Sequence, residues 1–430
     1  MRNKNNPRSE ENPLPTSPLA GGGASIPSLD KGRARVGLSL PKLRFAEFLG
    51  AGEWDLELIG SIAKVTTGNK DTQDKNENGI YPFFVRSQNI EKIDSFALDC
   101  EAILTSGDGV GVGKNYHYIN GKFNFHQRVY CIYGFNEDIY GKFIYCYFSE
   151  KFYQRVMQLS AKNSVDSIRR SMITDMAIAI PKKKEQQKIA DCLSTLDDRI
   201  ETENQKLAQL KTHKKALMQQ LFPAEGETVP RLRFAEFLGA GEWEVRKLGD
   251  ICKSFSGGTP LTTNKNYYNG EIPFIRSGEI DKEKTELFIS EEGFNKSSAK
   301  IIRKGDVLIA LYGANSGEVA ISKIDGAINQ AIMCMTNFDC NTFAYQFLLF
   351  KQAAIVSKYL QGGQGNLSGE IIKLITFSSP TLPEQQKISD CLSILDELIN
   401  LQTQKIATLK THKKGMMQQL FPQNTNEGTV

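Results

Sequence analysis

The 430-residue chain predicts a mixed α/β fold: two similar domains with bent or barrel-like sheets, separated by two long antiparallel coiled-coil helices. Three observations carry that expectation. Residues 42–54, KLRFAEFLGAGEW, return at 231–243 with only the first residue changed, and they hold the only two tryptophans, Trp54 and Trp243. Residues 185–223 and 384–422 agree at about 27 of 39 positions, far beyond chance. Between each lead-in and each long segment lies a variable stretch of short β-rich runs, divided by Gly, Asn and Asp turns.

The elements follow in order. Residues 1–40 are dominated by Pro, Gly, Ser and charge, show no hydrophobic period, and read as a disordered tail. A first domain spans 41–184, a central helix 185–223, a second domain 224–383, a C-terminal helix 384–422 and a short tail 423–430. In the variable stretches, GIYPFFVRSQNI from Gly79 matches GEIPFIRSGEI from Gly270. The run from Ala102 to Tyr133 matches, more loosely, the run from Asp306 to Met335. Each stretch then has a helical part, YGKFIYCYFSEKFYQRVMQL and NTFAYQFLLFKQAAIVSKYL.

The long segments repeat apolar residues at alternating steps of four and three. In the first, Ile189, Leu193, Leu196, Ile200, Glu203, Leu207, Leu210, Lys214, Leu217 and Leu221 form an a/d seam. The second gives Ile388 to Leu420 in the same steps, with Gln402 and Lys413 as its polar layers. No proline interrupts either helix, and Pro223 and Pro422 close them. Buried polar layers fix register. Matching both layers at once predicts an antiparallel pair in which Glu203 faces Lys413 and Lys214 faces Gln402. The alternative is that each helix packs separately on its own domain.

Composition bounds the function. No apolar run reaches the length of a membrane span, and the N-terminus lacks the apolar core of a secretory signal. Eight scattered cysteines without a C-x-x-C pair point to free thiols in a reducing cytoplasm rather than to a zinc site or a disulfide framework. A formal charge of +4 says little about a polyanion partner unless the positive residues gather on one face.

Catalytic motifs are missing. GDGVGVGKN, from Gly107, fails the phosphate-loop spacing, because Asp108 stands where a glycine is needed and Asn115 where Ser or Thr is needed. It reads as a tight turn. His117 and His126 have no spaced acidic or Cys partners and read as core or surface histidines; His213 and His412 lie in identical KTHKK segments and belong to the scaffold. There is no G-x-S-x-G elbow, no H-E-x-x-H and no segment of the kind adenine methyltransferases use around a flipped base. The chain reads as a binder. Two variable modules on rigid helices suit a target with two features at a set distance, such as two half-sites on a duplex.

RLRFAEFLGAGEWEVRKLGDICKSFSGGTP, IPFIRSGEI, GQGNLSGEIIKLITFSSPTLPEQQKI and the duplicated helix ending MQQLFP resemble the specificity subunit of a type I restriction-modification enzyme, over about residues 41–422. The resemblance implies two target recognition domains, each reading one half of a bipartite DNA site. It implies that the paired helices set the spacing and dock modification subunits, and that restriction subunits join through the complex. It places S-adenosylmethionine, ATP and Mg on those partners, with no cofactor, metal or catalysis here. The first copy departs from the family wording before its helix (SAKNSVDSIRRSMITDMAIAIPKKK), so the two half-sites should differ. The N-terminal tail also departs from it. A catalytic enzyme, such as a fused methyltransferase, and a non-catalytic protein scaffold without DNA recognition are the competing readings.

Base readout needs exposed donors and acceptors: Arg for guanine, Asn or Gln for adenine. On that ground the first domain offers Arg86, Ser87, Gln88 and Asn89, then Lys114, Asn115, Arg169 and Arg170. The second offers Arg276, Ser277, Lys296, Tyr312, Asn315, Gln364 and Asn366. Arg and Lys can serve phosphates instead. Arg86 and Arg276 occupy equivalent places, which favours a shared backbone or structural role.

Overall fold

A computed structural model describes residues 40–160, 167–360 and 366–422. Both expected tails, apart from Leu40, lie outside the described residues, as does Gln364. The chain divides into two compact units: residues 416–422 join the first, which otherwise ends at Ala190, and Asp191–Gly415 forms the second.

The first unit is organised around a six-stranded sheet. Its spatial order is Lys64–Thr67, Val129–Tyr133, Leu98–Ser106, Tyr116–Phe125, Tyr81–Phe84, Ile90–Ile93. Neighbours are antiparallel except where Phe83 and Phe84 run parallel to Asn124 and Phe125. The ten-residue strand Tyr116–Phe125 therefore belongs to two groups of strands, antiparallel along its length and parallel at its end. Phe143, Ile144, Tyr147, Phe148 and Phe152, all buried, lie on the helix Gly141–Leu159, and Phe148 stacks on Phe152 at 4.2 Å.

The second unit repeats this plan with the long strand broken. Lys253–Ser256, Ile332–Thr336, Val307–Ala310 and Val319–Ile321 form one four-stranded sheet; Leu287–Ile289, Tyr268–Ile275, Gly326–Ile328 and Lys300–Ile302 form another. The parallel pairing recurs as Phe274 with Ala327 and Ile275 with Ile328. The sheets are open rather than closed into barrels.

Why the thirteen-residue lead-in is written twice is clear from its contacts. In each unit a short antiparallel pair, Asp55–Leu58 with Ala177–Ile180 and Glu244–Lys247 with Thr376–Ser379, brings the start of the variable stretch beside its end. The lead-in thus lies next to the first turn of the long helix. Arg44 donates from Nε and Nη2 to the two carboxylate oxygens of Glu185, both at 2.7 Å, and from Nη1 to the Gly52 carbonyl. Arg233 does the same with Glu384 and Gly241, at the same distances. Both carboxylates are buried, so each ion pair depends on its two-point geometry to offset desolvation. Trp54 packs edge-on against Phe143 in the first unit; Trp243 packs against Phe222 and Phe343 in the second. Positive φ at Gly52 and Gly241 explains one glycine of each repeat.

The long helices run Lys183–Leu221 and Leu382–Leu420, 39 residues each. Within the second unit they lie antiparallel, as Lys413–Asp197 and Lys214–Asp396, both 2.6 Å, require. The expected polar register is not the one adopted. Glu203 faces Gln402, whose Nε2 donates to the Glu203 carboxylate (2.7 Å) and backbone carbonyl (2.9 Å), about three helical turns from Lys413. The physical reason is the reach of lysine. Lys214 and Lys413 leave the seam and pair with Asp396 and Asp197 beside it, so neither needs a seam partner. Glu203 and Gln402 are equivalent residues of the two copies, and they meet each other at the centre of the pair.

Candidate nucleic-acid interface

In the first unit, four segments far apart in sequence converge. Asn115 Nδ2 donates to the Arg86 carbonyl (3.1 Å) and to Ser106 Oγ (3.3 Å), tying the glycine turn to the loop after Tyr81–Phe84. Arg86 Nη1 bonds Asp108 Oδ1 at 3.0 Å, and Arg128 lies 3.4 Å from the same carboxylate. Asp108 bridges to Ser167, and Ile168 N donates to the Gly107 carbonyl. The glycine turn is tight, as expected: Val112 N bonds the Gly109 carbonyl and Asn115 N the Gly111 carbonyl, with positive φ at Gly109 and Gly113.

The predicted residues therefore separate by role. Arg86, Ser87, Gln88, Asn89, Lys114 and Asn115 are brought together. Ser87 Oγ donates to the Asn89 carbonyl, which shapes that loop, and Lys114 lies 5.6 Å over the Tyr153 ring. Asn115 spends its side-chain amide on the scaffold. Arg169 and Arg170, both exposed, follow Ile168 at the start of the helix Arg170–Thr174. His117 is core, packed against Phe84 and in contact with the Ser87 carbonyl, and burial lowers its pKa. His126 is buried too, and burial is the largest cause of its lowered pKa.

The second unit builds the same corner from different side chains. Leu311 N bonds the Ala331 carbonyl as Gly107 N bonds Arg128; Leu367 N bonds the Leu311 carbonyl as Ile168 N bonds Gly107. Tyr312, exposed, thus stands where Asp108 stands, and Asn366, exposed, where Ser167 stands. Asn315 donates to Glu318 at 2.7 Å. Arg276 is held elsewhere, in a two-point bond to Glu279 and a 2.7 Å bond to Glu286; it closes its own loop, whereas Arg86 reaches across to Asp108. Burial would push Glu279 up, but bonds from Arg276 and from backbone N–H groups outweigh it and hold the carboxyl at about 2. Ser277 begins that same turn, and Lys296 ends the helix Glu291–Asn295. Among the described residues, neither Arg276 nor Lys296 bonds the Tyr312–Asn366 group.

Sequence reading missed Gln127, Arg128, Gln330 and Thr259. All are exposed at or beside this corner. Gln127 and Gln330 were findable, because HQR and NQA occupy matching places in two runs that differ at most other positions. Among the described residues no His, Cys, Asp and Glu group could hold a metal, all eight cysteines are free thiols, and no helix is long and apolar enough to cross a membrane.

The chain thus carries one backbone frame twice and turns different side chains outward on each copy. Comparison with known proteins gives its family. The type I restriction modification DNA specificity domain matches residues 52–212 and 240–411, more than half of the chain, and the chain belongs to that family. It is 31% identical over 159 residues to the type I restriction enzyme EcoDI specificity subunit of Escherichia coli, covering 37% of this chain and 34% of that one. It is 32% identical over 169 residues to the MjaIX specificity subunit of Methanocaldococcus jannaschii, covering 37% and 39%. These matches span little more than a third of each relative. The fold matches the crystal structure of a type I restriction-modification system S subunit from M. genitalium, with a TM-score of 0.61 and 18% identity over 90% of this chain and 100% of that one.

Proposed function

We propose that this chain is the DNA sequence-specificity subunit of a type I restriction-modification enzyme. Residues 41–184 and 224–383 act as its two recognition domains, each reading one half of an asymmetric bipartite site in double-stranded DNA. The helices 185–223 and 384–422 set the spacing and dock modification subunits, and restriction subunits join through that complex. The chain does no chemistry itself and works in the cytoplasm, with S-adenosylmethionine, ATP and Mg bound by its partners.

The observation that carries this reading is the corner shared by the two units. The backbone bonds are the same, from Ile168 to Gly107 and from Leu367 to Leu311, while the outward side chains change from Asp108 and Arg128 to Tyr312 and Ala331. A scaffold that only joined proteins has no need of two differently dressed copies. Phosphate contacts position such a protein and base contacts specify the sequence, so the differing side chains are where two half-sites would be distinguished. Equilibrium binding of the complex with modification subunits to a randomised duplex pool tests it. Enrichment of one bipartite motif with a fixed gap supports the reading. Binding without any preferred sequence, or none, favours the protein scaffold.

A further inference from the structure

The turn at the end of the long strand is built alike in both units, and one outward side chain on it is identical. In the first, Arg128 N donates to His126 Nδ1 (2.9 Å) and Val129 N to the His126 carbonyl (2.9 Å). In the second, Ala331 N donates to Asn329 Oδ1 (3.1 Å) and Ile332 N to the Asn329 carbonyl (3.3 Å). Each is a β-turn closed by its first side chain, with an exposed glutamine second: Gln127 and Gln330.

Both glutamines are clamped. Gln127 Nε2 donates to Asp71 Oδ2 at 2.9 Å, and Thr259 Oγ1 donates to Gln330 Oε1 at 2.6 Å. A glycine brings each clamp into place. A Cβ at Gly68 would sit 1.9 Å from the Phe125 carbonyl oxygen, and one at Gly257 1.8 Å from that of Ile328, so the loop lies directly on the base of the turn. Fixing an exposed glutamine costs rotamer entropy, which a merely solvated side chain has no reason to lose.

We propose that Gln127 and Gln330 are matched base readers, each recognising an adenine in its own half-site through the major-groove edge. The inference rests on the DNA reading above. Adenine presents an acceptor at N7 and a donor at N6. With one N–H given to Asp71, Gln127 keeps one N–H and its Oε1. With one lone pair given to Thr259, Gln330 keeps the other and its N–H groups. Each amide retains at least one donor and one acceptor, the complement of adenine. Guanine presents two acceptors, N7 and O6, and Gln127 has a single N–H left for them. A phosphate offers only acceptors and needs no fixed amide orientation. Asp71 and Thr259 are positioning residues. The neighbours differ between the copies, His126 against Asn329 and Arg128 against Ala331, so they serve what distinguishes the half-sites while the glutamines serve what the half-sites share.

The test uses the full chain in complex with its modification subunits and sequences the duplexes retained from a randomised pool. The wild type comes first: no bipartite motif there overturns the DNA reading itself, before any variant is considered. Given a motif, an adenine at one position of each half is expected. Gln127→Ala should relax that position in one half only and Gln330→Ala in the other, with adenine preference falling about tenfold to a hundredfold. Gln330→Glu keeps the shape and the bond from Thr259 Oγ1 but loses the N7 donor, and should turn the preference in the second half towards cytosine, whose N4 donates. Thr259→Val should blunt discrimination in the second half alone. Thermal melts matching the wild type establish that the variants fold. An unchanged motif in both alanine variants overturns the proposal, as does an even loss of affinity across all sequences, which marks a phosphate contact.

Discussion

Arg44 and Arg233 show how much a single side chain holds in place. Each closes a buried two-point ion pair between lead-in and long helix, and removing one partner leaves the other charge buried and alone. Arg233→Ala should therefore cost about 3–5 kcal/mol in chemical denaturation of the whole chain, and Arg233→Lys should recover little of it, because an ammonium cannot make the forked contact. The repeat that contains these arginines was plain in the sequence. Their partner was not, because Glu185 lies 141 residues beyond Arg44 and nothing local points to it. The candidate interface residues were legible to the same degree. Choosing polar residues in loops located the corner around Arg86, Asn115 and Arg169. Chemistry alone could not tell that Asn115 would bind the Arg86 carbonyl or that Arg276 would be taken by Glu279 and Glu286. Gly257→Ala tests the close approach at the second turn. The added carbon meets backbone rather than a yielding side chain, so a loss of about 1–3 kcal/mol and weakened binding are expected, the first by denaturation and the second by titration.

At the scale of elements, the heptad steps predicted both long helices and their antiparallel pairing, and Lys183–Leu221 and Leu382–Leu420 agree. The register was misjudged because seam residues were matched only with seam residues. Asp197 and Asp396 lie just outside the seam, and lysine reaches them. The adopted centre gives a pH prediction. The hydrogen bond from Gln402 and then that from Lys405 hold Glu203 down at about 2, against an ordinary 4.5. A carboxyl with a depressed pKa stabilises the folded state above its unfolded value, and that contribution is lost as pH falls through its folded value. Thermal stability of the helix pair should thus decline between about pH 4.5 and 2, and Glu203→Gln should flatten that part of the profile in melts recorded across it. The β-rich runs were located correctly, but their sheet order was not readable. Whether a strand continues, as Tyr116–Phe125 does, or breaks, as between Ile321 and Gly326, is decided by tertiary pairing.

For the whole molecule, duplication is the organising fact. One frame, written twice, keeps its backbone contacts and its turn glutamine while the surrounding side chains diverge. Sequence alone made the two-copy plan and the family resemblance legible, because repeats survive as strings. The bases that the proposed reading would involve were not legible, since they depend on which side chains the folded loops leave free. The most direct measurement exchanges residues 41–184 for the corresponding domain of a related subunit of known specificity, then determines the DNA motif bound and methylated by the assembled complex. The account predicts that one half of the motif changes to that of the donor while the other half and the gap stay as they were. A motif altered in both halves, or in neither, would contradict it.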